Sequence, residues 1–319
     1  MGAVFAFLCA VGFSCTNVLI RKGGGSGADN GMLITTICNV VILSFIVAIF
    51  GLAGRSLAWN MAGFLWFAGS GLLTSFLGRS TLFTSIGLVG SSRAAAIKNT
   101  APMFTVGVAV LFLSEHLSPV AAGGVGLACL GLFLLVYEAF RKPANGKEIA
   151  KGVGDGRGAE APSAESQEPS GAPTVVIIGT LIAVASAVFF GLGQGVRKVG
   201  LAYMPDAFLG ATIASWTALI LYLVAITAQG RTGTVFRESF TGLHPYFWLA
   251  GVATTVGQLG FFIAITYSPV AHVSVIAASE TLLTIVLATL FMGRIENVSR
   301  LVLLAGCLVF CGAVVIALT

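Results

Sequence analysis

Charge is scarce in this sequence. Of its 319 residues only 9% are Asp, Glu, Lys or Arg, 57% are hydrophobic, and the mean hydropathy is +0.98. A soluble domain is charged at roughly a quarter of its residues, so this composition excludes a water-exposed globular surface and points to a polytopic, all-helical membrane protein. Histidine is rarer still, at three residues, and no HExxH, nucleophile-elbow or GxxxxGK[ST] pattern occurs. Ser70 therefore has no span-buried histidine to act as its base, and the chain is expected not to be an enzyme. The six cysteines (Cys9, Cys15, Cys38, Cys129, Cys307, Cys311) all fall in apolar stretches and form no CxxC or Cys/His cluster. They read as small packing residues. Cys307 and Cys311 share a helix face but lack further ligands, so no metal and no cofactor is expected. The +5 balance could suggest nucleic acid, but the basic residues lie mostly beside apolar runs, which removes that partner. The first run ends at Arg21-Lys22 with no small-residue cleavage site, so it is retained as a span.

What the chain does have is apolar runs of bilayer-crossing length. About 20 residues of helix cross the hydrocarbon core, and on that ruler ten spans emerge: 2–20, 32–52, 62–87, 92–113, 120–137, 174–196, 207–228, 246–267, 270–292 and 299–318. Between the fifth and sixth lies a stretch of mixed charge rich in Gly, Pro and Ser, with almost no large apolar residue to bury. The expected organisation is residues 1–138 as one five-helix repeat, 139–172 as a flexible polar linker and 173–319 as a second repeat. A shift of 176 places Phe13 on Phe189 and Arg21-Lys22 on Arg197-Lys198. A shift of 179 places Phe112 on Phe291, Arg79 on Gln258, Lys98 on Ala277 and Ala101-Pro102 on Glu280-Thr281. An odd number of crossings per repeat turns the second copy upside down, giving two inverted-topology repeats. The glycine groups at 69–71, 123–126 and 191–193 are expected to let helices approach closely. Trp59, Trp66 and Trp248 sit near span ends, whereas Trp216 is mid-span and reads as a packing residue. Loop charge, counting Arg197 and Lys198 as loop residues, puts 3 basic residues on the side of the termini and 12 on the side of the linker, which would make the linker side cytoplasmic.

Few polar residues fall inside the spans, and each is costly. An ammonium group at a helix centre costs roughly 2.5 to 3.5 kcal/mol on insertion scales, so Lys98 is a functional-site candidate that needs a partner. Pro102, four residues on, cannot donate to the carbonyl of residue 98 and is expected to kink the helix there. Glu280 is the one acidic residue well inside a span, and the repeat brings it within a helical turn of the symmetry position of Lys98. Arg79 either snorkels to an interface or lines a cavity. Gln258, Asn17, Asn99 and Gln194 either bridge helices or hold a ligand. His272, Arg93 and His116 lie at span edges and read as boundary residues.

The stretches 85–104 and 111–118, with second copies at 267–284 and 290–296, resemble the drug/metabolite transporter superfamily, and within it the EamA type with ten spans. Such sequences carry Pro in the fourth helix, Glu-Pro in the ninth and a Gly-Glu-x-Leu turn after each; Pro102, Glu280 and Glu115 match, while Thr281, Ser114 and Arg294 depart. The resemblance implies a basket of helices around a central cavity, cytoplasmic termini, and movement of small metabolites across the plasma membrane, often outward and coupled to protons. With Thr281 in place of proline, the ninth helix is expected to run straighter than the fourth. The reading is a secondary transporter, an exporter of a small polar or amphoteric metabolite, with Lys98 as anchor and Glu280 as its counter-charge or as a proton-coupling site. The competing reading is a non-transporting receptor or assembly subunit in which Lys98 and Glu280 form a structural ion pair. The sequence sets no oligomeric state.

Overall fold

The structure, a computed structural model, describes residues 1–22, 31–54, 59–89, 91–141, 173–241, 245–292 and 300–318. All regular elements among them are helical. The first and second spans are Gly2–Lys22 and Met32–Leu52. The third runs through Met61–Ser70, a π-helical Gly71–Gly78 and Arg79–Val89. The fourth is split into Ser91–Lys98 and Ala101–Phe112, and the fifth is Pro119–Arg141. The sixth to eighth are Pro173–Tyr203, Ala207–Ala228 and Pro245–Tyr267. The ninth is split into Val270–Ala277 and Glu280–Met292, and the tenth is Arg300–Ala317. Nine described segments are long and apolar enough to cross a bilayer, and Leu301–Ala317 adds a shorter apolar helix. Large side chains such as Leu52, Leu111 and Phe112 point outward, as they do where lipid is the solvent. Residues 142–172, most of the expected linker, lie outside the described residues; the fifth helix continues to Arg141, past the expected boundary at 138.

Helix pairing obeys the inverted repeat. The first span packs along the eighth and the third along the sixth, so exchanging the halves maps one pair onto the other. The second packs on the seventh and the fifth on the tenth, pairs that the exchange maps onto themselves. Close approach depends on missing side chains at the contact. A Cβ on Gly12 would stand 2.6 Å from the Gly257 nitrogen, and one on Gly71 would stand 2.4 Å from the Ala214 carbonyl oxygen. Of the glycine groups expected to serve this role, Gly71, Gly124, Gly191 and Gly193 do so, while Gly123 and Gly126 face open space.

Four features depart from the sequence reading. The sixth helix runs on to Tyr203, so Arg197 and Lys198 are helical residues and do not belong in the loop-charge count. Its apolar run resumes after Lys198 with Val199 to Tyr203, and one solvated end costs less than two. A short helix, Thr232–Thr241, joins the seventh and eighth spans; Val235 packs beneath it beside Met32 and Tyr222, while Phe236 and Phe240 stack outward. The third span carries a π-helical segment, a distortion common at functional sites. The fourth departure is the ninth span, which breaks as the fourth does. In the fourth, Thr100 Oγ1 and its N–H both donate to the Ile97 carbonyl, at 2.6 and 2.9 Å. In the ninth, Ser279 Oγ and its N–H donate to the Ile276 carbonyl, at 2.7 and 3.1 Å. Residues 100 and 279 are 179 apart, as are 97 and 276. A hydroxyl turning back three residues competes with the helical ladder, so the ninth span breaks without a proline. Pro102 sits in the first turn after the break, where its missing N–H has no helical partner to lose.

The turn after the fourth span shows why a family pattern would place glycine there. Ser114 has φ 51°, the left-handed region, which costs a side-chain-bearing residue about 1–2 kcal/mol. Ser114→Gly is expected to raise stability by about 1 kcal/mol, read as a higher midpoint in thermal unfolding of the purified protein.

Candidate functional site

The two broken spans meet the first, third, sixth and eighth around a cavity of about 260 Å³. Lys98, Asn99, Glu280, Arg79, Gln258, Asn17 and Gln194 all line it, as does Pro102. Lys98 ends the first half of the fourth span and Glu280 begins the second half of the ninth. The breaks thus place an ammonium at a helix C-terminus and a carboxylate at a helix N-terminus, the favourable end for each charge. Lys98 Nζ donates to Glu280 Oε1 at 3.5 Å and lies 5.4 Å from the centre of the Phe190 ring. The two side chains are 26% and 16% exposed, open to the cavity and not sealed in protein. Asn99 Nδ2 donates to Thr281 Oγ1 at 3.4 Å, a second link across the two breaks. Ser14 Oγ donates to the Glu280 carbonyl at 2.9 Å, tying the first span to the ninth break.

The remaining candidates divide. Gln258 is committed to the scaffold: its Nε2 donates to Ser215 Oγ at 2.9 Å and the Ala211 carbonyl at 3.3 Å, and its Oε1 accepts from Asn39 Nδ2 at 3.2 Å. It bridges the second, seventh and eighth spans at the cavity wall. Gln194 accepts from Thr105 Oγ1 at 3.0 Å and so joins the sixth span to the fourth. Asn17 is exposed to the cavity. Arg79 lines the cavity instead of snorkelling to an interface. Trp216 lies apart from the site, 46% exposed, with Nε1 donating to Ser44 Oγ at 3.0 Å.

Sequence reading missed Arg197, which it placed in a loop. The residue is 7% exposed and lines the cavity. Its Nη2 donates to Thr74 Oγ1 at 2.9 Å, and its guanidinium lies over the Phe262 and Phe261 rings at 4.9 and 5.5 Å. Thr74 stands in the π-helical segment, whose wider turn brings Thr74, Ser75 and Arg79 to one lining. The signal available in the sequence was the apolar run resuming at Val199.

The end of the molecule bearing Met1 is fastened over the cavity. Glu115 Oε1 and Oε2 accept from the Val270 and Ala271 N–H groups at 2.8 and 3.1 Å, capping the ninth span. Lys198 Nζ donates to the Ile265 and Ser268 carbonyls at 2.6 and 3.1 Å, capping the eighth. Both side chains grip one turn, between the eighth and ninth spans. Toward the opposite end the cavity lining reaches Ile20, Met32 and Leu82.

Residues 1–137 match the EamA-like transporter family. No curated protein matches the chain. Among solved structures 29 chains do; one, described only as "Crystal structure of protein", is 18% identical, with a TM-score of 0.68 over 99% of this chain and 96% of its own. At that identity the likeness shows a shared fold. The match to that family thus covers the first repeat, and the helix pairing relates the second repeat to it upside down.

Proposed function

We propose that this protein is a secondary active transporter that exports a small polar or amphoteric metabolite across the plasma membrane, with the cavity as its single alternating-access site. The observation that carries this reading is the Lys98–Glu280 pair, set on two symmetric helix breaks and exposed to a cavity. Charges inside a span are expensive, and broken helices from two inverted repeats mark transporter sites. Lys98 anchors an acidic group of the metabolite. Glu280 holds Lys98 when the site is empty and accepts a proton when substrate takes its place, which couples export to protons. The cavity reaches toward the end that carries the linker and most basic loops, the cytoplasmic end by the positive-inside rule; filling from there suits export. The test is a counterflow screen of a metabolite panel in proteoliposomes, with and without a pH gradient. Exchange of one solute class, accelerated by the gradient, is expected. Folded protein that exchanges nothing would instead favour a receptor or assembly subunit.

A further inference from the structure

Lys98 and Glu280 neutralise one another, which leaves two guanidinium groups in the same cavity without a counter-charge among the described residues. Its lining holds three cations, Arg79, Lys98 and Arg197, and one carboxylate, Glu280. Among the described residues neither arginine forms an ion pair, and Glu280 pairs with Lys98. Two acids beside the spans are engaged elsewhere: Glu115 caps the ninth span, and Asp206 Oδ1 accepts from the Phe208 and Leu209 N–H groups at the start of the seventh.

Aromatic packing does not account for Arg197. Rings stabilise the face of a guanidinium, but its N–H donors lie in the plane and need acceptors of their own. One such acceptor is Thr74 Oγ1, and Arg197 Nε is buried with no partner among the described residues. A buried donor left unmatched, on a cation without a carboxylate, is costly unless a ligand completes it. Arg79 lines the same cavity, and its guanidinium makes no hydrogen bond among the described residues. Both costs are relieved by the same thing, an anionic group between them. Planar forks suit carboxylate and phosphate oxygens in particular.

We infer that the cavity recognises a small dianion, a dicarboxylate or a phosphomonoester, with Arg197 and Arg79 holding one acidic group and Lys98 facing the rest of the molecule. This rests on the transport reading only in taking the cavity as the substrate site. It makes two negative charges the selectivity criterion, because three cations against one carboxylate leave the described lining with two positive charges to balance.

The experiment uses the full-length purified protein with succinate and glycerol 3-phosphate as dianions, and butyrate and alanine as comparators, each followed by thermal unfolding and by counterflow in proteoliposomes. At least one dianion is expected to bind about tenfold or more tighter than butyrate or alanine, and which dianion wins separates carboxylate from phosphate recognition. Arg197→Gln and Arg79→Gln are each expected to abolish the preference, so that dianion and butyrate bind alike, whereas Arg197→Lys keeps part of it. If Arg197→Gln does not fold, Arg79→Gln makes the comparison. Dianion binding without any exchange would overturn the transport reading and leave the anion site standing. Exchange of alanine or butyrate that neither dianion inhibits would overturn the anion site and leave transport standing. No stabilisation of the wild type by either dianion also overturns it.

Discussion

Proteoliposomes carrying Lys98→Ala protein are expected to lose substrate exchange by about a hundredfold, a loss of roughly 2.7 kcal/mol in binding and translocation, in the range for a charge-assisted contact removed from a desolvated site. Glu280→Gln should lose gradient-driven flux while keeping some exchange, because a glutamine still accepts a hydrogen bond but carries no exchangeable proton. The informative variant is the double one, Lys98→Met with Glu280→Leu. Removing one partner of a pair strands the other, whereas replacing both by apolar groups is often neutral for stability. The pair is partly exposed to the cavity, at 26% and 16%, which reduces its contribution to folding further. The double variant should therefore unfold near the wild-type temperature and transport nothing. Were it to regain both stability and flux, the pair would be a structural tie and the site assignment would fail.

Glu115→Ala is expected to unfasten one end of the cavity. The carboxylate accepts from two N–H groups at the start of the ninth span, each a charge-assisted bond contributing about 1.5–3 kcal/mol, so its removal should move a two-state opening equilibrium about tenfold or more. Lys198→Met, which frees the Ile265 and Ser268 carbonyls, should act in the same direction. A cysteine introduced at Ser268 and probed with a membrane-impermeant maleimide reads this directly: labelling should rise in either background. The other end differs in the same structure. Lys22, the repeat counterpart of Lys198, lies over the Tyr246 ring at 5.3 Å, whereas Lys198 clamps helix-end carbonyls. Unchanged labelling together with a lower unfolding temperature would make Glu115 a static cap and not a latch.

Much of this site was legible in one dimension because a membrane punishes unpaired charge. Lys98 and Glu280 could be paired from the sequence because each was the sole ion of its sign deep in its span, and because the repeat register put them one turn apart. The register also carried information that was outweighed. Thr100 and Ser279 occupy equivalent positions and break their helices by the same hydroxyl-to-carbonyl bond, but a rule that attributes kinks to proline looks only at Pro102. The ninth span accordingly read as straight. Arg197 was lost for a different reason. A span ruler stops at the first charged pair even though the apolar run resumes at Val199, and which way the Arg197 side chain turns depends on what packs against it.

That division follows from the physics of the two levels. Composition and run length determined the class, the number of crossings and the inverted repeat, since hydrocarbon admits only apolar, internally bonded helices. The same scarcity of charge singled out Lys98 and Glu280. Only the tertiary structure decided which polar residues face the cavity and which face each other. Gln258 spends both ends of its amide on neighbouring helices, while Arg197 turns its guanidinium to the cavity lining. Those outcomes depend on partners far away in the chain, brought within hydrogen-bond reach by packing, and no local pattern around either residue encodes them.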